Sequence, residues 1–266
     1  MSVFQKLLDT RRQRGAALWA LLDPDRAQGE EILDLALQCE RSDVDALLVG
    51  SSLLLSSRFE GALKLIKGKV TLPVIIFPGN ANQVSSYADA ILYLSLISGR
   101  NPDLLIGEQV KAAPLIREYG LEPIPTGYMI VDSGGPTSVQ FMSNTQPLPR
   151  ERPDIAMAHA LAAQYLGMKL LYLEAGSGAK SSVPERIIEE IRGYVELPMI
   201  VGGGIRTPQE AAHKVEAGAD FVVVGNTFEE TGGPERIEAF SQAIHKAGMK
   251  RIRTPPISKD FGRSTN

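Results

Sequence analysis

Two short apolar segments in the last third of the chain, each ending abruptly in glycine, constrain the fold more than any other feature of this sequence. Met199-Ile-Val201 leads into Gly202-Gly-Gly204, and Phe221-Val-Val-Val224 leads into Gly225-Asn226. Unbroken apolar runs of this length are typical of strands that are buried on both faces of a parallel sheet. We therefore predict two neighbouring parallel strands whose carboxyl ends both turn at glycine.

A helix is predicted between these strands, because the start signals are complete. Thr207 suits the N-cap, Pro208 the first helical position and Glu210 the third, which together form a capping box. The pattern continues to about Glu216, and Gly218 is the expected stop. Glycine after each strand lets backbone N–H groups approach an anion. Two such turns late in a chain of this length predict the phosphate site of a (β/α)8 barrel.

The order of the elements predicts one α/β domain with the (β/α)8 TIM-barrel fold, for which 266 residues are a suitable length. The predicted strands are 16–22, 45–49, 73–77, 90–96, 124–131, 169–173, 199–201 and 221–224. The predicted helices are 3–14, 25–40, 53–66, 103–119, 154–166, 184–192, 208–216 and 235–247. The barrel is expected to cover residues 1–250 with its N-terminal helix, and 251–266 to form a flexible tail.

Two connections depart from a regular barrel. Only residues 81–89 separate the third and fourth strands, whereas a crossover helix with its loops usually needs about a dozen residues or more. The third helix is therefore predicted to be reduced or missing, leaving a gap where a long ligand could lie. The connection 132–153 is long and polar, which is typical of lids and binding loops.

Composition narrows the function classes. The formal net charge of −3 argues against a nucleic-acid surface, which usually needs a concentrated basic face. Cys39 is the single cysteine, so no intrachain disulfide can form, which fits a reducing cytoplasm. Neither a signal peptide nor an apolar run of membrane-spanning length is evident. The expectation is a cytoplasmic protein.

The predicted strand ends, which form the active-site face of a barrel, carry carboxylates and glycines but no histidine. His159, His213 and His245 all fall on predicted outer helices, so neither a Ser-His-Asp triad nor a histidine-ligated metal is expected. No Gly-x-Gly-x-x-Gly follows an early strand, so a dinucleotide cofactor is not indicated.

Asp23 is the candidate metal ligand. A carboxylate beside a hydroxyl such as that of Ser51 suits Mg²⁺, which takes few protein ligands and completes its shell with waters and phosphates. The alternative is that Asp23 only caps local backbone. Asp25 is assigned to the start of the helix 25–40, because Asp25 and Gln28 have capping-box spacing.

Glu174 ends a predicted strand and opens the segment Glu174-Ala-Gly-Ser-Gly178. The glycines can form a nest for hydroxyls or a phosphate, with Ser177 as a donor, and the carboxylate can accept a proton from a substrate hydroxyl. The alternative is a structural salt bridge for Glu174. For the two late glycine turns, the alternative is a tight turn without a ligand.

These strand-end residues resemble the geranylgeranylglyceryl phosphate synthases and their bacterial relatives, which join a prenyl diphosphate to glycerol 1-phosphate. The resemblance runs from about Leu21 to Phe228, and Tyr172-Leu-Glu-Ala-Gly-Ser-Gly178 is its most specific motif. The other motifs are Leu22-Asp-Pro-Asp25, Val49-Gly-Ser51, Phe77-Pro-Gly-Asn80, Val201-Gly-Gly-Gly-Ile205 and Val224-Gly-Asn226. Val49 replaces the first of two glycines that the family often has at this point.

The resemblance implies roles for individual residues. Asp23 and Ser51 would hold Mg²⁺ on the diphosphate, and Glu174 would bind the glycerol hydroxyls and help to deprotonate the attacking one. It also implies a missing third helix, with the prenyl chain in an apolar groove that Tyr93, Leu94, Leu96 and Ile97 could line, although a role in the strand core is an equal alternative for each. The implied contacts to glycerol 1-phosphate are Tyr172, Leu173, Glu174, Ala175, Gly176, Ser177, Gly178, Gly203, Gly204, Gly225 and Asn226.

The expected reaction joins geranylgeranyl diphosphate to the 3-hydroxyl of sn-glycerol 1-phosphate, which gives an ether lipid precursor and diphosphate. A heptaprenyl or other longer donor is the first alternative. A phosphosugar isomerase or aldolase, or a non-catalytic scaffold that binds a phosphate metabolite, is the second. The resemblance also implies a homo-oligomer, and a prenylated product implies transient membrane contact on release.

Overall fold

The structure is a computed structural model that describes residues 1–230 and 233–253. Eight parallel strands close into a barrel in chain order, with β8 pairing back onto β1. The predicted TIM barrel is thereby confirmed. The strands are β1 Ala17–Leu22, β2 Ala46–Val49, β3 Val74–Ile76, β4 Ala90–Leu96, β5 Glu122–Ile130, β6 Leu170–Glu174, β7 Met199–Gly202 and β8 Phe221–Val224.

The helices surround the barrel and cover its amino-terminal end. A π-helical turn, Asp103–Gly107, leads directly into α4, where a regular start at residue 103 was predicted. The α-helices are α1 Val3–Arg14, α2 Glu30–Arg41, α3 Phe59–Ile66, α4 Glu108–Tyr119, α5 Ser138–Ser143, α6 Pro153–Tyr165, α7 Glu185–Arg192, α8 Pro208–Ala217, α9 Asn226–Glu230 and α10 Gly233–Arg253. The predicted N-cap of α8 is confirmed, because the Thr207 hydroxyl accepts from the Glu210 N–H at 3.2 Å, but the Glu210 carboxylate accepts the N–H of Arg206 rather than that of Thr207.

The apolar side chains form two cores. Alternate strand residues point inward and fill the barrel, where the rings of Trp19 and Phe221 lie 4.5 Å apart. The other strand residues point outward and pack against the helices. On α7, for example, three buried isoleucines belong to this outer core. This alternation decides which side chain at each strand end can reach the centre of the carboxyl-terminal face.

The third helix is missing, as predicted. Residues 77–89, all of which the structure describes, contain no helix between β3 and β4. Instead the connection folds inward and buries Gln83, Val84 and Ser85. The outer ring is therefore open between α3 and α4.

The prediction that Asp25 caps α2 is wrong. The helix begins at Glu30 after Gly29, without a side-chain cap. The Asp25 carboxylate instead accepts a hydrogen bond from the Leu55 N–H at 2.5 Å and another from the Ser56 hydroxyl. Two donors on the neighbouring loop thus bind the carboxylate that was expected to cap α2, and α3 begins after this loop at Phe59 rather than at residue 53.

The C-terminal helix is longer than predicted. Helix α10 continues to Arg253, because Arg251 donates to the carbonyl of Ala219 at 2.7 Å and to Asp220 at 2.9 Å. Residues 251–253, which were predicted to belong to a flexible tail, are therefore part of α10. Residues 254–266 lie outside the described part of the chain.

Candidate active site

A cavity of about 830 Å³ opens at the carboxyl ends of the strands. It extends from the turns after β6, β7 and β8, past the ends of β1 and β2, to the space between β4 and α4. Most of the predicted site residues line it, namely Asp23, Ser51, Tyr172, Glu174, Ser177, Gly178, Gly203, Gly204, Gly225 and Asn226. The structure thus brings the predicted metal ligands and the predicted phosphate turns to one cavity.

Three of the predicted contacts do not line this cavity. The side chains of Leu173 and Ala175 point outward into the core between strands and helices. This follows from strand alternation, because Tyr172 and Glu174 point inward. Gly176 packs beneath Thr137, and a Cβ at Gly176 would lie 2.6 Å from that side chain. Any contact from these three residues to a ligand would therefore have to come from the backbone.

Glu174 lies at the end of β6 and is buried. Burial raises the pKa of its carboxyl to about 7. Two smaller effects oppose the shift: Oε1 accepts the Gly176 N–H at 2.5 Å, and the Tyr172 hydroxyl lies near enough to lower the pKa, although its geometry falls short of a regular hydrogen bond. A carboxyl that titrates near neutrality can exchange a proton with a substrate.

Tyr172 and Tyr128 lie near this carboxylate, and the Phe77 ring packs against both of them. Phe77 stacks on Tyr172 with ring centroids 5.0 Å apart, and Tyr128 meets Tyr172 edge to face at 5.3 Å. Burial, followed by the nearby Glu174 carboxylate, raises the pKa of both phenols well above the usual value. Both tyrosines therefore keep their protons at neutral pH and can act as hydrogen-bond donors.

The glycine turns fit closely around Glu174. Gly203 has a φ of 80°, and a Cβ there would overlap Oε1 of Glu174 and lie 2.6 Å from the Gly176 nitrogen. The Ser177 hydroxyl donates to Oδ1 of Asn226 at 2.8 Å, which joins the turn after β6 to the turn after β8. Three turns thus meet at one polar end of the cavity, and glycine-rich turns of this kind can present backbone N–H groups to an anion.

Asp23 and Ser51 offer only oxygen ligands. Oδ1 of Asp23 accepts the Asp25 N–H at 3.0 Å, while Oδ2 lies 3.9 Å from Nε of Arg26. The Ser51 hydroxyl donates to the Leu53 carbonyl at 3.2 Å, so its lone pairs remain available. Among residues 1–230 and 233–253, no group of three or more His, Cys, Asp or Glu side chains has metal-binding geometry. This sparse oxygen set fits Mg²⁺, which draws most of its shell from water and phosphate.

Two residues that the sequence did not reveal support these ligands. The buried Gln83 amide donates to the Ser51 carbonyl at 2.8 Å and accepts the Ser51 N–H at 3.4 Å. The Glu229 carboxylate accepts the Asp23 N–H at 2.9 Å. Neither residue belongs to a motif, and both act on residues far away in sequence. No local pattern could have identified them.

The other end of the cavity is apolar. Between β4 and α4 it is lined by Val84, Ile91, Leu94, Leu104 and Ala112. Tyr93 and Leu96 also line it, as predicted, whereas Ile97 packs against the outer core. The Tyr93 hydroxyl donates to the Gln109 carbonyl at 2.7 Å, so this ring is fixed in the wall. The groove occupies the gap left by the missing helix.

The three histidines lie on α6, α8 and α10, as predicted, and none of them lines the cavity. Among the described lining residues there is also no lysine. A Schiff-base aldolase, which needs an amine at the strand ends, therefore finds no support. The fold and the site together define a TIM-barrel enzyme with a polar end built from glycine turns, a buried carboxylate and an apolar groove.

The PcrB family matches residues 9–246, and the chain belongs to this family. It is 42% identical over 245 residues to geranylgeranylglyceryl phosphate synthase of Chitinophaga pinensis, covering 92% of this chain and 96% of the relative. The synthase of Flavobacterium johnsoniae is 46% identical over 228 residues, covering 86% and 94%. The resemblance inferred from the strand-end motifs is thus confirmed.

A solved structure gives the same result. The (S)-3-O-geranylgeranylglyceryl phosphate synthase of Thermoplasma acidophilum, in complex with sn-glycerol 1-phosphate, superposes with a TM-score of 0.88 at 35% identity, covering 92% of this chain and 99% of that one. The chain is an enzyme of the prenyltransferase class, as predicted, and the isomerase and scaffold alternatives are set aside. No helix in the described ranges is long and apolar enough to cross a membrane.

Proposed function

We propose that this enzyme joins geranylgeranyl diphosphate to the 3-hydroxyl of sn-glycerol 1-phosphate, forming an ether lipid precursor and releasing diphosphate. The observation that carries the proposal is the position of Glu174. This buried carboxylate, with a pKa of about 7, lies between the glycine turns and the aromatic wall of the cavity. The name shared by the relatives and the ligand of the Thermoplasma acidophilum enzyme support the same reaction.

The acceptor is assigned to the polar end of the cavity. Its phosphate would contact backbone N–H groups of the turns after β6, β7 and β8, and its hydroxyls would reach Glu174 and Tyr172. Because these donors belong to the backbone, the site favours a small dianion without needing a lysine. The residues assigned to it are Tyr172, Glu174, Ser177, Gly178, Gly203, Gly204, Gly225 and Asn226. Leu173, Ala175 and Gly176 support these turns, because the N–H groups of Ala175 and Gly176 are donated to Gly202 and Glu174.

The donor is assigned to the remainder of the cavity, with its diphosphate near Asp23 and Ser51 and its chain in the apolar groove. Asp23 and Ser51 would hold Mg²⁺, which when bound neutralises charge on the diphosphate. Arg26 also lines this part of the cavity and adds positive charge. The groove excludes water from the allylic carbon.

In the reaction, the glycerol 3-oxygen forms a bond to C1 of the prenyl chain as the bond from C1 to the diphosphate oxygen breaks. The electron pair of the broken bond leaves with diphosphate. Glu174 accepts the proton of the attacking hydroxyl, and Tyr172 helps to orient the glycerol. The pKa of Glu174 lies near the working pH, where a general base is most effective.

The test compares Glu174→Gln and Asp23→Asn with the surface control Asp34→Asn, using radiolabelled glycerol 1-phosphate and donors of C20 to C35. We expect Glu174→Gln to lower kcat by roughly 10²-fold or more. Asp23→Asn should lose most Mg²⁺-dependent turnover and keep near-normal glycerol 1-phosphate affinity by calorimetry. Near-normal turnover of Asp23→Asn would overturn the metal assignment, and a preference for the longest donor would replace geranylgeranyl by heptaprenyl.

The rim of the cavity supports contact with a lipid surface during product release. Leu53 and Leu55, which is 81% exposed, line the cavity on one loop, and Met142 lines it on α5 beside Phe141, which is 80% exposed. We expect the prenylated product to leave across this rim. Vesicle co-sedimentation of Leu55→Ser/Phe141→Ser should fall relative to wild type. Vesicle binding by the double variant equal to that of wild type would show that the rim does not contact the lipid surface.

The expected homo-oligomer is tested separately by light scattering.

A further inference from the structure

Glu229 connects the two ends of the candidate active site. It lies on α9, the short helix that follows directly from the turn at Gly225 and Asn226. Its side chain is 6% exposed, and Oε1 accepts the Asp23 N–H at 2.9 Å across a sequence separation of 206 residues. A single buried carboxylate thus joins the acceptor's turn to the residue that would hold the metal.

Arg26 extends this connection. Its Nη1 lies 3.7 Å from Oε2 of Glu229, and its Nε lies 3.9 Å from Oδ2 of Asp23. All three side chains line the cavity, and Arg26 is 44% exposed there. The guanidinium thus lies within ion-pair distance of both carboxylates and at the wall of the cavity, where its planar donors can meet a phosphate.

The chemistry of burial makes the position of Glu229 consequential. A buried carboxylate is costly unless donors surround it, so the Asp23 N–H and the Arg26 guanidinium are drawn to it. These contacts fix the backbone of Asp23 from one side, while the Asp25 N–H fixes its Oδ1 from the other. The remaining oxygen of Asp23 is thereby held beside Arg26.

We propose that Glu229 is a positioning residue that sets Asp23 and Arg26 for a magnesium diphosphate group and couples that site to the acceptor's turn. A phosphate bound at Gly225 and Asn226 fixes the position of α9. Because Glu229 lies on α9 and accepts the Asp23 N–H, this also fixes the position of Asp23. Arg26 takes a diphosphate oxygen when the metal occupies the Asp23 carboxylate. This inference rests on the proposed function, because it assumes that diphosphate binds near Asp23.

The test is calorimetric titration with inorganic diphosphate in excess Mg²⁺, with and without saturating sn-glycerol 1-phosphate. For wild type we expect the acceptor to lower the diphosphate Kd by about fivefold, with the reciprocal effect on glycerol 1-phosphate. Glu229→Ala should bind diphosphate about tenfold more weakly and show a ratio near one. Glu229→Gln keeps an acceptor for Asp23 but loses the charge opposite Arg26, so it should bind about threefold more weakly.

Asp34→Asn is the control, because Asp34 is exposed on α2 and does not line the cavity. It should keep the wild-type ratio. A wild-type ratio of one, or wild-type diphosphate affinity in both Glu229 variants, overturns the inference. If Glu229→Ala does not fold, Glu229→Gln decides alone.

Asp23→Asn separates the two levels of the argument. If it binds magnesium diphosphate as wild type does, the proposed donor site is itself wrong. If it loses binding while the Glu229 variants keep it, only the role of Glu229 fails. A purely structural Glu229 would lower thermal stability without changing the ratio of the two diphosphate affinities.

Discussion

At the scale of single residues, the site depends on a carboxyl group whose surroundings disfavour its charge. Glu174 is buried beside Tyr172 and Tyr128, and among the described residues the only regular hydrogen bond to its carboxylate comes from the Gly176 N–H. Desolvation therefore outweighs the stabilising contacts, and the pKa rises to about 7. If Glu174 served stability alone, its carboxylate would be expected to form an ion pair, and none is present among the described residues. The salt-bridge alternative for Glu174 therefore finds no support.

The raised pKa of Glu174 predicts a pH-dependent cost in stability. Below its ordinary pKa of 4.5 the carboxyl is protonated in both the folded and the unfolded chain, so it has no effect. As pH rises from 4.5 through about 7, the unfolded chain loses a proton that the folded protein keeps, and stability falls by about 3 kcal/mol. Urea unfolding of wild type and Glu174→Gln from pH 4 to 8.5 should show this fall in wild type alone. Parallel curves would contradict it.

The same group predicts the pH profile of the reaction. We expect kcat/KM of wild type to rise as Glu174 loses its proton near pH 7. The residual activity of Glu174→Gln should lack that rise, since an amide does not titrate in this range. A profile that is the same in both proteins would show that another group accepts the proton.

The turn after β7 predicts a contrast between two glycines. Gly203→Ala places a Cβ against Glu174 and Gly176, so we expect a loss of about 2–5 kcal/mol in stability and a fall in kcat/KM of more than about tenfold. Gly178→Ala is the matched control, because its φ of 71° is similar but no atom lies within 4 Å of the added Cβ. It should lose only about 1–2 kcal/mol. Equal effects would mean that strain, not contact with Glu174, makes glycine necessary.

At the scale of elements, the connection that replaces the missing third helix supplies a side chain that supports the site. Residues 77–89 bring Gln83 beneath Ser51, where its amide binds both the N–H and the carbonyl of that residue. A Cβ at Gly50 or Gly79 would approach the same amide to 3.2 or 3.0 Å. The two glycines therefore leave just enough room for the side chain that holds Ser51.

Replacing Gln83 should weaken metal binding more than folding. Gln83→Leu removes both hydrogen bonds to Ser51, so we expect the Mg²⁺ concentration for half-maximal activity to rise about fivefold or more. The affinity for glycerol 1-phosphate, measured by calorimetry without metal, should change little. Asn82→Ala, at an exposed neighbouring position, is the control. An unchanged Mg²⁺ requirement in folded Gln83→Leu would show that Ser51 does not depend on this support.

The sequence predicted what local patterns encode. Unbroken apolar runs predicted the eight strands, capping residues predicted the start of α8 at Pro208, and the short 81–89 segment predicted the missing helix. The errors came where contacts with residues distant in sequence override a local pattern. Asp25, for example, accepts hydrogen bonds from Leu55 and Ser56 and does not cap a helix. Gln83 and Glu229 were missed for the same reason, since their partners are 32 and 206 residues away.

At the scale of the whole molecule, one buried carboxylate links helices α1 and α10 to the amino-terminal end of the barrel. Asp220, immediately before β8, accepts from Arg11 of α1 at 2.7 Å, from Arg251 of α10 at 2.9 Å and from Arg192 of α7. It also accepts the Met199 N–H at 2.9 Å, at the start of β7. This cluster lies at the amino-terminal ends of the strands, opposite the cavity.

Its position predicts a stability defect without a catalytic one. Asp220→Asn leaves three buried or half-buried guanidinium groups without their counter-charge, so we expect a loss of about 3–5 kcal/mol in the free energy of unfolding. Glu216→Gln, which removes an exposed pair with Lys250, should cost at most about 1 kcal/mol. Both variants should keep wild-type KM values at temperatures where they are folded. A change in KM for either substrate would contradict the separation of the two faces.

The gap left by the missing third helix also separates the apolar groove from the part of the cavity around Glu174. The Glu174 carboxylate and the turns around it lie at the ends of β6, β7 and β8, whereas the walls of the groove belong to β4, α4 and the connection before them. Substitutions in the groove can therefore lengthen or shorten it without moving Glu174. In evolutionary terms, the hydrocarbon tail that such an enzyme accepts can diverge between lineages while its chemistry is inherited unchanged.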